Sequence, residues 1–251
     1  MHKSLGIFTT FGLSALLVAC GGGGSSSVAN VSAEGAWSGS SSSGNNFDLL
    51  VLENGDYYSI FGTLSGGALL VSGFDKGSSS MSGSTFSANI TEYNSSGTTT
   101  GTVNATVVAG ISISGSATNT AGTAKITFSA TPLSASYSSY NYNTAPVNSD
   151  VFGNWSGTLL DGTSAAISIS SSGGITGSNA GCSFAGTALP RSSGKNVFDM
   201  NLTFGPSPCA YPGQKVSGIA LDYVLSSGKR QLLAAMQDST KAHGYMFFAQ
   251  R

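Results

Sequence analysis

Three cysteines and two histidines supply most of the chemistry open to this 251-residue chain. Cys182, Cys209 and His243 come nearest to a constellation, since two thiolates and an imidazole could ligate zinc. The spacing argues against it. The two cysteines are 27 positions apart rather than paired as CxxC, and the only other histidine is His2. A hydrolase needs a nucleophile held against a base. Serines abound, but none sits in Gly-x-Ser-x-Gly at a strand-to-helix elbow. The few acids form no compact group with His243, which falls in a polar turn where a solvated side chain is the default. No motif selects a carboxylate pair for glycoside hydrolysis, and no glycine loop leads into a helix to cradle phosphate. The sequence therefore reads as non-catalytic, with no cofactor and no metal.

Cys20 belongs to different chemistry. His2 and Lys3 make a short positive start, and Gly6 to Ala19 is apolar but shorter than the roughly 20 residues of a membrane-spanning helix. This stretch ends Leu17-Val18-Ala19-Cys20. The tetrapeptide matches the lipobox at every position, so residues 1–19 resemble a bacterial lipoprotein signal peptide. The resemblance implies cleavage before Cys20, alkylation of its thiol by diacylglycerol and acylation of its new amino group; an ordinary secretory signal is the alternative. Acyl chains contributing about 0.8 kcal/mol per buried CH₂ would hold the protein at a membrane. Residues 20–30 then form the acylated cysteine and a Gly/Ser tether, reaching on the order of 5–6 Å × √n. Gly rather than Asp at position 21 implies, by the same resemblance, the outer membrane.

Export to an oxidising compartment makes Cys182 and Cys209 an even pair, expected to form a disulfide. Closing 27 residues contributes roughly 3–4 kcal/mol in the chain-entropy model. It would pin the Pro-rich loop Gly205–Pro212, which has no strand character. A metal site of two thiolates and His243 is the rival reading.

The elements that must position these residues repeat. Gly35-Ala36-Trp37-Ser38-Gly39 and Gly153-Asn154-Trp155-Ser156-Gly157 lie 118 positions apart and hold the only tryptophans. After each, short runs of alternating apolar residues bounded by Gly, Ser and Asn recur at the spacing of a sandwich or barrel. Strands are predicted near 36–40, 46–53, 56–64, 68–75, 84–93, 101–108, 111–117 and 123–130. The second set is predicted near 154–160, 165–170, 174–178, 182–189, 196–204, 214–225, 230–237 and 244–250. The offset carries Leu49, Val51, Gly55 and Gly110 onto Ile167, Ile169, Gly173 and Gly228. Asn54-Gly55 suits a two-residue type I′ hairpin turn. Arg230–Gln237 has good helix formers but is too short for a marginal isolated helix, so it reads as a strand. The organisation is an N-terminal domain over 31–131, a linker over 132–147 and a C-terminal domain over 148–251. The linker's Tyr137, Tyr140 and Tyr142 either pack where the domains meet or are solvated; the sequence favours the solvated linker.

Composition narrows the class further. Only 8% of residues are charged, against about 25% in typical soluble domains. With 40% hydrophobic residues and a net charge of −1, a core can form. Acids predominate in the first half (Glu34, Asp48, Glu53, Asp56, Asp75, Glu92). Bases predominate in the second (Arg191, Lys195, Lys215, Lys229, Arg230, Lys241, Arg251). Neither half offers the clustered basic face of a nucleic-acid binder.

Eight short strands opening on Gly-x-Trp resemble the calycin barrels, lipocalins and avidins among them. That resemblance implies all-β architecture, two tandem antiparallel eight-stranded meander barrels, with Trp37 and Trp155 each closing one barrel end. It also implies that a basic residue near the end of the last strand covers the ring, a role Arg251 fits for Trp155. Nothing after Phe128 does so for Trp37. The closing Gly244-Tyr245-Met246-Phe247-Phe248-Ala249-Gln250-Arg251 is also similar to the barrel ends of transferrin-binding and factor-H-binding surface lipoproteins. Strands shorter than the about 9–11 residues of a transmembrane barrel, with Ser, Thr and Asn on their polar faces, exclude that class. The functional expectation is a lipid-anchored binding module of the cell envelope, with a protein or polysaccharide partner. Alternatives are a carrier of a small apolar ligand inside a barrel, against which narrow filled barrels count, or a structural envelope component.

Overall fold

A computed structural model describes residues 30–251; the expectations about Cys20, the signal peptide and most of the tether lie outside them. The chain is all-β. The first eight strands are β1 (Gly35–Ser41), β2 (Asn46–Val51), β3 (Asp56–Ser65), β4 (Ala68–Ser82), β5 (Thr85–Asn94), β6 (Gly97–Val108), β7 (Ser112–Asn119) and β8 (Lys125–Pro132). Two single-turn helices follow, α1 (Leu133–Ser136) and α2 (Asn148–Val151). The second eight are β9 (Gly153–Leu159), β10 (Ser164–Ile169), β11 (Gly174–Asn179), β12 (Cys182–Pro190), β13 (Phe198–Phe204), β14 (Lys215–Val224), β15 (Arg230–Asp238) and β16 (Gly244–Gln250). Each set is an antiparallel meander closed into a barrel, β1 pairing with β8 and β9 with β16.

The two barrels share one register. Trp37 faces Leu49 and Gly39 faces Phe47 across β1–β2; Trp155 faces Ile167 and Gly157 faces Ala165 across β9–β10. Glycines at positive φ recur at the 118-residue offset: Gly35 and Gly153, Gly44 and Gly162, Gly55 and Gly173, Gly110 and Gly228. Gly39 and Gly157 lie where the barrel seam closes. A Cβ there would stand 2.0 Å from the Ser129 carbonyl oxygen or 2.4 Å from that of Phe248.

Two local expectations are corrected. The β2–β3 turn is not type I′, because Gly55 alone has positive φ. Its N–H donates to the Leu52 carbonyl at 2.9 Å, and the Leu52 N–H to the Asp56 carbonyl at 2.9 Å. This is a type I-like turn followed by a left-handed glycine, the three-residue hairpin solution. β4 also runs seven residues beyond the predicted end at 75, pairing with β5 as far as Ser82. Gly77 to Ser82 carry almost no apolar alternation to announce a strand. Close approach explains Gly77, where a Cβ would lie 1.9 Å from the Asn89 carbonyl oxygen.

The linker is not solvated. Tyr137, Tyr140 and Tyr142 are buried between the barrels with Leu50, Ile60, Phe74, Leu221 and Tyr223. The Tyr137 ring stacks on Tyr223 at 4.2 Å, and the hydroxyls of Tyr137 and Tyr140 donate to the Gly67 and Asn196 carbonyls at 2.8 and 2.7 Å. Satisfied hydroxyls let these rings contribute their apolar faces to a core. The outer faces of β2–β5 and β14–β16 meet there, so β15 is covered on both sides. That is why Leu232–Met236 reads as an unbroken apolar run rather than an alternating one. Tyr223 donates to Asp48 at 2.7 Å, and the Gln231 amide pairs with the Leu69 backbone at 3.0 and 2.7 Å. Arg191–Glu53 at 2.9 Å and Lys195–Glu34 at 2.7 Å join the basic half to the acidic one.

Candidate functional site

Inward side chains alternate along β9–β16, and the Trp155 end of that barrel is shut. The Trp155 indole is buried, its Nε1–H donating to the Val151 carbonyl at 2.7 Å. The Arg251 guanidinium lies 4.0 Å from the ring centroid. It also donates to the Phe152 and Asp150 carbonyls at 2.6 and 2.9 Å, which fixes it across the barrel end. Trp37 repeats the hydrogen bond, to the Ala33 carbonyl at 3.0 Å. Among the described residues no cation covers its ring.

Above Trp155 the barrel is hollow. A cavity of about 650 Å³ is walled by Ile169, Ile175, Phe198, Met200, Ala220 and Ala234, among other apolar side chains. The first barrel is packed instead: Trp37, Phe47, Tyr57, Phe86 and Ile113 fill it, leaving a pocket of about 100 Å³ beside Glu92. Shared register locates the difference. Phe47 and Tyr57 correspond, at the 118-residue offset, to Ala165 and Ile175. Tyr57 sits opposite Val51 and Gly77, and Ile175 opposite Ile169 and Gly186. At these two positions the second interior carries smaller side chains, and its own rings, Phe184, Phe198 and Phe247, stand elsewhere on the wall.

The mouth is built at the other end, where the β9–β10, β11–β12, β13–β14 and β15–β16 connections gather. The β13–β14 loop contributes Pro208, Cys209, Ala210 and Tyr211 to the cavity wall. One side of this loop is stapled to the start of β12 by the Cys182–Cys209 disulfide, with Cα atoms 4.5 Å apart. The other side rests on the β15–β16 turn through Tyr211, whose ring lies 4.4 Å from that of His243. The loop is a strap over the opening, bonded at one end and only stacked at the other.

His243 is held from below. Its Nδ1 lies 2.8 Å from Asp238 Oδ2, and the Asp238 carboxylate also accepts from Thr240, the Ala242 N–H and Gln214 Nε2 at 2.9, 3.0 and 3.0 Å. Burial alone would raise the Asp238 carboxyl; hydrogen bonds from His243, Thr240 and the turn backbone outweigh it and hold it below its ordinary range. Tyr245 donates to Gln214, and burial pushes its hydroxyl up to about 12. Asp161 is held low by the Thr163 hydroxyl and N–H. The first barrel adds Asn94 and Ser95 to the rim. It also steadies the β15–β16 turn through Tyr93, which donates to the Lys241 carbonyl at 3.0 Å.

The structure thus brings Cys182, Cys209 and His243 to one rim, and Trp155 and Arg251 to the opposite end. Each cysteine sulfur is bonded to the other, which leaves no thiolate for the metal reading. Sequence reasoning missed the hollow itself and the Asp238–His243 pair. Five positions separate those two across a turn, and nothing in their spacing announces a pair; comparing inward positions of the repeats would have exposed Ala165 and Ile175.

No family model and no curated protein matches the chain. Among solved structures it is similar to two variants of the vaccine antigen transferrin binding protein B from Haemophilus parasuis. Identities are 9% and 7%, TM-scores 0.27 and 0.28, covering 82% and 83% of this chain. The chain spans 65% and 66% of those structures, just under two thirds of their length. A protein of unknown function of the DUF3598 family from Nostoc punctiforme matches at 12% identity and TM-score 0.26, over 87% of this chain and 94% of that one. Similarities of this size transfer neither a ligand nor a partner.

Proposed function

We propose that the protein is a non-catalytic binding protein of the bacterial cell envelope whose C-terminal barrel holds a small apolar ligand. The cavity of about 650 Å³ carries this reading. Ligand sites of a few hundred to about 1,000 Å³, mainly apolar with a few convergent polar groups, are the usual form. A closed floor, apolar walls and a polar mouth fit storage or transport of a molecule that water would otherwise expel. The Leu17–Cys20 lipobox supports tethering to a membrane, with the outer membrane favoured by Gly21.

A macromolecular partner was the first expectation from sequence. The large exposed apolar side chains are divided among barrel ends: Leu64 and Leu70 lie at one end of the first barrel, Val108 and Ile111 at its other, and Val147, Phe152 and Leu189 at the Trp155 end of the second. Dispersed side chains of this kind are ordinary surface.

Native mass spectrometry after gentle extraction tests the carrier reading. A co-purifying small apolar molecule is expected on the wild type and should be lost in Ala234→Phe, which puts a ring into the cavity. Wild-type protein that is consistently empty, and that takes up no neutral apolar fluorophore, would refute it and return the macromolecular reading to first place.

A further inference from the structure

The charges at the mouth restrict what the ligand's exposed end can be. Asp161 and His243 are the titratable rim groups that line the cavity besides Tyr211 and Tyr245, and no Lys or Arg among the described residues does so. Asp161 Oδ1 already accepts from the Thr163 N–H and hydroxyl at 2.9 and 2.6 Å, and among the described residues no side chain donates to Oδ2. Asn179 Nδ2 donates to Thr163 and to the Ser164 carbonyl at 3.0 and 2.7 Å, which leaves its carbonyl oxygen. His243 Nδ1 is paired with the Asp238 carboxylate, so the Nε2 edge of the ring is the one left to the opening. Two acceptors therefore stand at the opening, one of them on a carboxylate, and a second carboxylate, Asp238, backs the imidazole.

An anionic head would meet Asp161 with no Lys or Arg on the cavity wall to offset it. A wholly apolar molecule would leave both acceptors to water alone. We propose that the ligand is an uncharged amphiphile: a single apolar body in the barrel and a hydroxyl-bearing head that donates to Asp161 and Asn179. The inference rests on the carrier reading and adds the chemistry of the ligand's polar end.

Displacement of a neutral apolar fluorophore from the purified full chain in detergent-free buffer tests it. The competitors are monododecanoylglycerol and dodecanoate at neutral pH, which share a chain and differ in head. The glycerol ester should displace the fluorophore at about fivefold lower concentration or less, since one close like charge near a wet surface is worth about 1 kcal/mol or more. Asp161→Asn keeps the turn acceptor and removes the charge, so the gap between the two competitors, each read against the fluorophore's own affinity for that variant, should shrink severalfold. Dodecanoate competing as well as the ester, or a gap unchanged in Asp161→Asn, would overturn the head-group inference and leave the carrier standing. A fluorophore that never binds, or binds Ala234→Phe as well as the wild type, would sink both.

Discussion

One barrel is full and the other is hollow, although the same strands, register and tryptophan build both. Each tryptophan donates to a carbonyl four residues back, at 3.0 Å for Trp37 and 2.7 Å for Trp155. Each is followed by turns whose glycines lie 118 residues from their counterparts. What closes the barrel is repeated; what fills it is not. Phe47 and Tyr57 occupy the first interior where Ala165 and Ile175 stand in the second; the first is a packed core and the second encloses a cavity of about 650 Å³. The lesson is that scaffold and site reside in different positions. Tryptophans and turn glycines carry the scaffold, while a few inward side chains decide whether anything can enter.

The plug is the most sensitive test of that separation. Trp37→Ala and Trp155→Ala should each destabilise by about 3–5 kcal/mol, the range for emptying a large aromatic site. Denaturant unfolding measures both. If Trp155→Ala is clearly the milder, the second tryptophan belongs to the ligand site rather than to the frame. The disulfide comes next, and only the second barrel has one. Cys182→Ser with Cys209→Ser should cost roughly 3–4 kcal/mol for a 27-residue loop. It should also speed fluorophore exchange by freeing the bonded end of the strap. Loss of stability with unchanged exchange would mean that the strap does not gate the mouth.

The seam between barrels offers a pH test of similar size. Burial pushes the Asp48 carboxyl up to about 6 from 3.8, despite opposing hydrogen bonds from Tyr223 and Ser38. A folded-state value above the unfolded one means the native state favours the proton. Relative to Asp48→Asn, wild-type stability is intact below about pH 4. It falls as pH rises through about 6, by about 3 kcal/mol in all. Burial also raises Asp75 and Asp222, so the difference between the two pH curves is the quantity to read. A constant difference from pH 4 to 7 would show that Asp48 is hydrated and that the barrels do not seal against each other.

How much of this could be read beforehand follows from the same physics. The all-β class was legible because surface strands alternate and their turns need glycine. The Trp155–Arg251 contact followed only from a family resemblance, since no local pattern joins a first strand to a last residue. Tyr137, Tyr140 and Tyr142 were misread because Ser and Asn around them mimic a solvated linker, whereas their partners lie on two distant sheets. Gly77–Ser82 went unseen as strand for want of apolar side chains to alternate. The hollow was invisible for a different reason. Interior volume is set by all inward residues together, and single small ones such as Ala220 or Ala234 look no different from small residues in a tight core.

The smallest expected effect on stability tests the comparison most directly. Ile175→Phe returns a ring to the position Tyr57 holds in the first barrel, without a hydroxyl that would need a partner. In a packed core such a swap costs about 1–3 kcal/mol through forced rotamers. Here the added atoms enter empty space beside Ile169 and Ala188 and gain dispersion contacts that the wild-type walls lack. Unfolding free energy should therefore stay within about 1 kcal/mol of wild type, while fluorophore affinity drops severalfold. A cost of several kcal/mol with binding retained would place the wall of Ile175 in a rigid, already filled interior, and the contrast between the barrels would have to be drawn from their mouths instead.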